Sequence, residues 1–295
     1  MAAALEKKYE ELVSSSKQVL LKTLGSRSEQ KSFLSTVEAF LSGDLESSYL
    51  DEAYQVTVSD EGKISKVDKK TAVDSEPVKV SVEIKESVAE GTMAYAIVEY
   101  MFVDDPKLYA SVLVMLNITG KSWKIISDTR SFTVCASGEA RLLGTKTTSK
   151  DIASICEGAD WYCNANRTLD GALMSKVFTE TASLTFTNPE GQLVSISQPD
   201  FCNMVTNRWN SPKHSKWAHL KADPRIAQAD ALLSVAIALP RLAVVKLRVT
   251  FPPVCFYDFL TYAKFPADDK SGPVWRIVAK STINEPFLVD EQQEK

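Results

Sequence analysis

The sequence predicts an α+β protein of two similar units in tandem, each with helices laid on one face of a curved, mostly antiparallel sheet. Three observations carry that prediction. Each half opens with apolar residues at helical spacing and then runs into alternating, strand-like segments. The order recurs, so that Trp275-Arg276-Ile277-Val278 in the second half echoes Trp123-Lys124-Ile125-Ile126 in the first. A chain of 295 residues also suits two domains of ordinary size.

In the first half, Leu5, Tyr9, Leu12 and Val13 recur at helical spacing and predict an amphipathic helix over residues 3–24, ended by Gly25. Ser28 can cap a second helix whose stripe is Phe33, Leu34, Val37, Phe40 and Leu41. Gly43-Asp44 punctuates, and Leu45 to Leu50 reads as a short helix. Tyr54 to Val58 alternates as a strand, Asp60-Glu61-Gly62 turns, and the return runs through Ile64 and Val67. Beyond Pro77 come three longer strands, over 78–84, 93–102 and 109–116. A turn at Thr119 to Ser122 leads into the last strand, from Trp123.

The second half repeats the plan. Ser149 can cap a helix carrying Ile152, Ile155, Cys156, Ala159, Tyr162 and Cys163, and a short helix follows with Leu169, Leu173, Val177 and Phe178. Strands are predicted at 184–186 and 193–196, joined by a turn at Asn188 to Gly191, and then at 232–239, 242–251, 255–265 and 275–278. The implied domains are 1–136 and 149–284, with a linker at 137–148 and a polar tail at 285–295. Gly62 and Gly191 lie 129 positions apart, Ser111 and Asp258 lie 147 apart, and Trp123 and Trp275 lie 152 apart. The second copy has therefore gained 18 residues before its Phe256 strand and five in its last hairpin. The 18 fall mostly within 200–230, which holds both histidines and two of the five tryptophans, and within it Ser211 to His219 reads as a polar loop or irregular insert. Equipment peculiar to the second copy is to be sought there.

Composition excludes several classes. Net charge is −4 without a run of Lys or Arg, which argues against nucleic acid as a partner. No stretch approaches the roughly 20 apolar residues that cross a bilayer. The first residues lack the apolar centre of a secretory signal, and Glu6, Glu10 and Glu11 argue against a mitochondrial leader. A cytoplasmic location is expected, with the sequons at Asn117 and Asn166 unmodified. The five cysteines, Cys135, Cys156, Cys163, Cys202 and Cys255, are odd in number and lack CxxC spacing, as reduced thiols would be. Two histidines without HxH or HExxH spacing make no case for a metal, and no cofactor is expected. Gly120-Lys121-Ser122 imitates the end of a phosphate loop, but Met115 stands where the first glycine is required.

Residues 150–284 resemble the lumazine-binding-like and polyketide-cyclase-like branch of the nuclear transport factor 2-like superfamily. The resemblance rests on Trp161-Tyr162 in the opening helix, Leu173 to Phe178, and Thr181-Ala182-Ser183-Leu184. Its strongest part is Tyr257-Asp258-Phe259-Leu260 with Trp275 to Lys280. The first half is similar in outline but has Ser111 where the second has Asp258, and Asp128 where it has Lys280. The resemblance implies cone-shaped α+β barrels with a pocket between sheet and helices. Members often pair through their sheets, so a monomer with an internal pseudo-twofold is implied here. The superfamily holds dehydratases, isomerases and cyclases beside members that only bind, so fold alone does not choose a function.

Asp258 is the first candidate for chemistry. Strand alternation puts it on one face with Phe256, Leu260 and Tyr262, where a carboxylate needs either a partner such as Lys280 or a raised pKa suited to a general base. His219 beside it would make an acid–base pair, with His214 the more exposed of the two histidines. Tyr162, Tyr257 and Tyr262 could donate to a ligand carbonyl. With Phe178, Phe256 and Trp217 they form the candidate pocket set, although aromatic residues at such positions also serve as core. The leading reading is a binding protein whose second unit holds a small apolar or aromatic molecule, the first unit being structural. One alternative is a cofactor-independent lyase or isomerase using Asp258 and His219. Another is a scaffold that binds a protein partner through its outer sheet or N-terminal helix.

Overall fold

The computed structural model describes residues 27–134 and 149–287, apart from residues 60, 76, 78, 91, 103–104, 106, 119–121, 188–191, 213, 223–225, 227–229, 239–240 and 267–274. The expected helix at 3–24, Cys135, the linker, the Gly120-Lys121 turn and the turn from Asn188 to Gly191 lie outside the described residues.

The first unit runs α1 (Arg27–Leu41), α2 (Leu45–Ser48), β1 (Tyr49–Val58), β2 (Ile64–Asp68), α3 (Lys69–Ser75), β3 (Lys79–Glu90), β4 (Met93–Phe102), β5 (Lys107–Ile118) and β6 (Ser122–Val134). The second opens with α4 (Ser149–Thr168), α5 (Gly171–Val177), β7 (Phe178–Thr187) and β8 (Leu193–Ile196). Next come α6 (Gln198–Thr206) and 3-10 turns at Arg208–Asn210 and Ser215–Ala222. It closes with β9 (Ala231–Ala238), β10 (Leu242–Phe251), β11 (Val254–Lys264) and β12 (Trp275–Pro286). The two sheets have the same order, β2-β1-β6-β5-β4-β3 and β8-β7-β12-β11-β10-β9. In each, only the pairing of the first strand with the last is parallel.

Local chemistry fixes the same features twice. Gly43 and Leu169, at equivalent points, take positive φ and end the first helix of each unit. Asp44 and Asp170 then cap the next helix, their carboxylates accepting from the backbone N–H of Ser47 and Leu173. A register shift between Val114 and Met115 on β5 recurs between Thr261 and Tyr262 on β11. Such bulges bend a sheet and help wrap it around its helices.

Each sheet buries both faces. The concave face of the first carries α1 through Phe33, Val37 and Phe40, packed on Tyr100, Trp123 and Ile125. The concave face of the second carries α4 and α5 through Ile155, Tyr162 and Met174, packed on Leu260, Trp275 and Ile277. The opposite faces meet each other: Tyr95, Val112 and Val114 of one sheet share a core with Val244, Phe259 and Val278 of the other. The Tyr95 and Phe259 rings meet edge to face at 5.8 Å between centroids. Burial on two faces explains why Met93–Phe102 and Leu242–Phe251 read as nearly continuous apolar runs.

Two expectations of local structure change. The short helix expected over Leu45 to Leu50 stops at Ser48, and β1 starts at Tyr49. The stretch at 200–230, within which Ser211 to His219 is expected as a polar loop or irregular insert, opens with α6 and continues in 3-10 turns. Ser197 caps that helix, its Oγ accepting from Asp200 N at 3.2 Å, and Pro199 sits in the first turn.

Candidate ligand site

The second unit encloses a cavity of about 470 Å³ between the concave face of its sheet, α4 and the extra segment. Its floor is polar. Asp258 on β11 is buried, at 1% exposure, facing Lys280 and Thr282 on the neighbouring β12. Lys280 Nζ ion-pairs with Asp258 Oδ1 and also bonds Thr282 Oγ1. Thr282 Oγ1 donates to Asp258 Oδ1 at 2.6 Å, and Tyr162 of α4 donates its hydroxyl to Asp258 Oδ2 at 2.6 Å. One turn along α4, Asn166 faces the same space, its Oδ1 accepting from Arg208 at 3.1 Å. The walls are apolar: Leu184, Phe186, Ile196, Phe201, Val249 and Phe256, with the 42% exposed Met204 among them.

Burial sets the electrostatics of this floor. It pushes the Tyr162 hydroxyl well above its ordinary range, and the adjoining Asp258 charge pushes it further. The same burial pulls the Lys280 ammonium down, against the attraction of Asp258. Arg208 is also pulled down by burial, with Tyr162 and Asp258 opposing. Both oxygens of Asp258 are already occupied by a lysine, a threonine and a tyrosine. A carboxylate held in this way ties the two strands and α4 together at the floor of the cavity.

The site residues read from sequence divide into two groups. Asp258, Tyr162 and Phe256 line the cavity. Phe178 is one layer behind, its ring between Tyr162 at 6.1 Å and Phe201 at 5.7 Å. Tyr257 points to the other face of β11 and packs against the core shared by the two sheets. Tyr262 is buried under α4, where a Cβ on Gly158 would come within 3.2 Å of its ring. The two histidines exchange their expected places. His219 is exposed and stacks near Trp217 at 6.4 Å, and neither lines the cavity. His214 is buried on the cavity wall, its Nδ1 2.8 Å from the carbonyl oxygen of Pro252. A carbonyl only accepts, so Nδ1 carries the hydrogen. The pairing of His219 with Asp258 is therefore not formed. The 3-10 geometry from Ser215 onward turns His219 outward, while the loop before it packs His214 against Phe251, 5.0 Å away.

Sequence reasoning does not single out Arg208, Asn166 or Asn284, all three on the wall. For Arg208 the signal was its place within the 18-residue surplus of the second half.

Residues 150–281 match the model of a family described as putative lumazine-binding. Both halves share one architecture. In each, two helices precede the first strand of a six-stranded mixed sheet of one shared order, and a further helix follows the second strand. Similar solved structures include an NTF2-like protein of unknown function from Shewanella baltica, at 16% identity. It covers 48% of this chain and 99% of its own, with a TM-score of 0.37. An NTF-2 like protein of unknown function from Silicibacter pomeroyi is 23% identical, covering 47% and 99%, with a TM-score of 0.35. A ketosteroid isomerase-like protein from Erwinia carotovora atroseptica is 14% identical, covering 36% and 94%, with a TM-score of 0.27. No curated protein matches the chain.

Proposed function

We propose that the protein binds a small apolar or aromatic molecule in the cavity of its second unit, and that the first unit is a structural partner. One observation carries this reading: a cavity of about 470 Å³ is open in the second unit, while aromatic side chains pack the corresponding space of the first. That volume is in the range of pockets that hold small organic ligands. The apolar walls supply burial, and the few polar groups on the floor supply orientation. The match of residues 150–281 to a family described as putative lumazine-binding supports a small ligand for the second unit.

Chemistry at this site has less support than binding. A lyase or isomerase would use Asp258 as its base, yet its oxygens already accept three hydrogen bonds. The histidine expected to assist is on the outside. A scaffold is less supported too. Among the described residues the large exposed apolar side chains are Leu34, Ile84 and Met204, on three different elements, rather than one patch.

The test uses N-phenyl-1-naphthylamine, an uncharged aromatic probe whose fluorescence rises on burial. Saturable binding at one site per chain is expected. It should be lost in Val249→Tyr, which places in the second unit the side chain that fills the first. Absence of saturable binding, or binding indifferent to Val249→Tyr, would sink the reading.

A further inference from the structure

Arg208 is a buried cation with no carboxylate of its own among the described residues. It is 6% exposed, and its recorded polar contact is the hydrogen bond to Asn166 Oδ1 at 3.1 Å. Its guanidinium otherwise lies against two rings, 4.7 Å from the centroid of Phe251 and 5.5 Å from that of Phe256. Among the described residues no Asp or Glu comes within ion-pair distance of it, and Asp258 is already taken by Lys280. The cavity floor thus sets one carboxylate, Asp258, against two cations, Lys280 and Arg208.

An arginine side chain keeps its charge in a protein, and an uncompensated buried charge is costly. Such a group persists where something pays for it or where it awaits an anion. Asn166 accepts from one of the five guanidinium N–H groups, which leaves the planar fork able to donate two parallel bonds. The surplus is a single positive charge, which matches a monoanion better than a phosphate monoester carrying close to two charges.

Resting on the binding reading above, we propose that the ligand is an amphipathic carboxylate. Its apolar or aromatic body lies against Leu184, Ile196 and Val249, and its carboxylate is received by Arg208. Asn166 holds the guanidinium in place, and the rings of Phe251 and Phe256 fix its plane. The extra segment of the second half, which supplies Arg208 and His214 to the wall, is then the part of the chain that turns a generic cone into a carboxylate receptor.

The experiment is calorimetric titration of the full chain at neutral pH with paired ligands. Each pair is an aromatic carboxylate and its carboxamide, from benzoate and benzamide up to 1-naphthaleneacetate and 1-naphthaleneacetamide. The acid should bind at least about tenfold tighter than its amide, as a charge-assisted bidentate contact would give. Arg208→Gln should remove that discrimination, so that acid and amide of each pair bind within about threefold of one another. Because Arg208→Gln also disturbs packing on Phe251, the comparison within the unmodified protein decides on its own. Amides binding as tightly as acids would overturn the carboxylate proposal and leave the pocket reading standing. Failure of every pair to bind would remove both.

Discussion

The two units share a strand order, a bulge and a capped helical turn, yet aromatic rings pack the concave face of one sheet where the other opens on a cavity. Sheet register pairs their positions. Tyr100, Tyr109 and Phe132 of the first unit correspond to Val249, Phe256 and Asn284 of the second, and Arg130 corresponds to Thr282. In the first unit Tyr100 stacks on Tyr109 at 5.8 Å and meets Phe40 at 6.0 Å and Phe102 at 5.3 Å, closing the space. In the second unit all four counterparts line the cavity. The second unit has valine, asparagine and threonine where the first has Tyr100, Phe132 and Arg130, and its cavity lies over those smaller side chains. The pocket thus combines smaller side chains on a shared sheet with a wall that only the extra segment supplies.

The buried charges make the same comparison more sharply. Ser111 sits where Asp258 does and bonds the Tyr100 hydroxyl at 2.9 Å, while Asp128 sits where Lys280 does. Asp128 accepts from Tyr49 at 2.8 Å and Gln55 at 3.3 Å and pairs with Arg130. Each unit therefore buries an acid, a cation and a tyrosine at one depth, with the acid moved from the last strand to its neighbour. An acid that can change strands in this way is acting through its charge balance. Removing it from the second unit gives the largest expected effect. Asp258→Ala strands the Lys280 ammonium in the interior and should destabilise the chain by about 3–5 kcal/mol. The double change Asp258→Leu with Lys280→Met should cost less than the single change. Urea denaturation of the three proteins measures both, and an Asp258→Ala variant within about 1 kcal/mol of the parent would show that the pair is not the anchor described here.

The units also meet each other, and the seam can be probed by pH. Tyr54 of β1 and Ser183 of β7 are equivalent positions that touch, the Tyr54 hydroxyl lying 3.5 Å from the Ser183 carbonyl. Burial pushes the Tyr54 hydroxyl up to about 12 from an ordinary 10.0. The neutral form is favoured on folding, so this contribution is complete below pH 10 and is lost as pH rises towards 12. In the unfolded chain Tyr54 ionises first. The loss should reach about 1.4 kcal/mol near pH 11 and about 2.3 kcal/mol near pH 12. Tyr54→Phe should be less stable than the parent, or equal to it, at pH 8 and should gain on it above pH 10. Cys163, also pushed up to about 12 by burial, adds an alkaline loss common to both proteins, so the difference isolates Tyr54. Parallel curves for the two proteins from pH 8 to 11 would mean the hydroxyl is not enclosed between the sheets.

Most of the fold was legible because the chain states it twice. The offsets of 129, 147 and 152 residues locate the surplus, and they match Ser111 and Asp128 to Asp258 and Lys280 from the sequence alone. Asp258, Tyr162 and Phe256 were legible at the site because strand and helix periods dictate which way they point. The histidines were not. His214 and His219 are five residues apart across an irregular turn, where no period fixes a face. Arg208 was hidden for a related reason: only the docking of α6 on the helices carries it to the wall, and periodicity is silent about docking. Tyr257 and Tyr262 were placed on the ligand by residue type, although the core shared between the sheets and the helix at Gly158 claim them.

That docking left one mark in the sequence, and it supports the smallest prediction. Where the first unit has Leu45, just after the capping Asp44, the second has Gly171, just after Asp170. A Cβ on Gly171 would lie 2.4 Å from Thr206 Oγ1 and 2.7 Å from the Cys202 carbonyl oxygen, both on α6. The threonine side chain can rotate away, but the Cys202 carbonyl belongs to the helix backbone and can move only if α6 moves. Gly171→Ala should therefore cost about 1–3 kcal/mol even though alanine is the better helix former. It should also weaken naphthylamine binding by displacing Phe201 and Met204 from the cavity. Gly43→Ala is the control in the first unit. Its φ of +86° is unfavourable for alanine, yet no atom lies within 4 Å, so it should lose about 1 kcal/mol and leave the cavity untouched. If Gly171→Ala proved stable and still bound the probe normally, α6 would be a loose cover rather than a fixed wall.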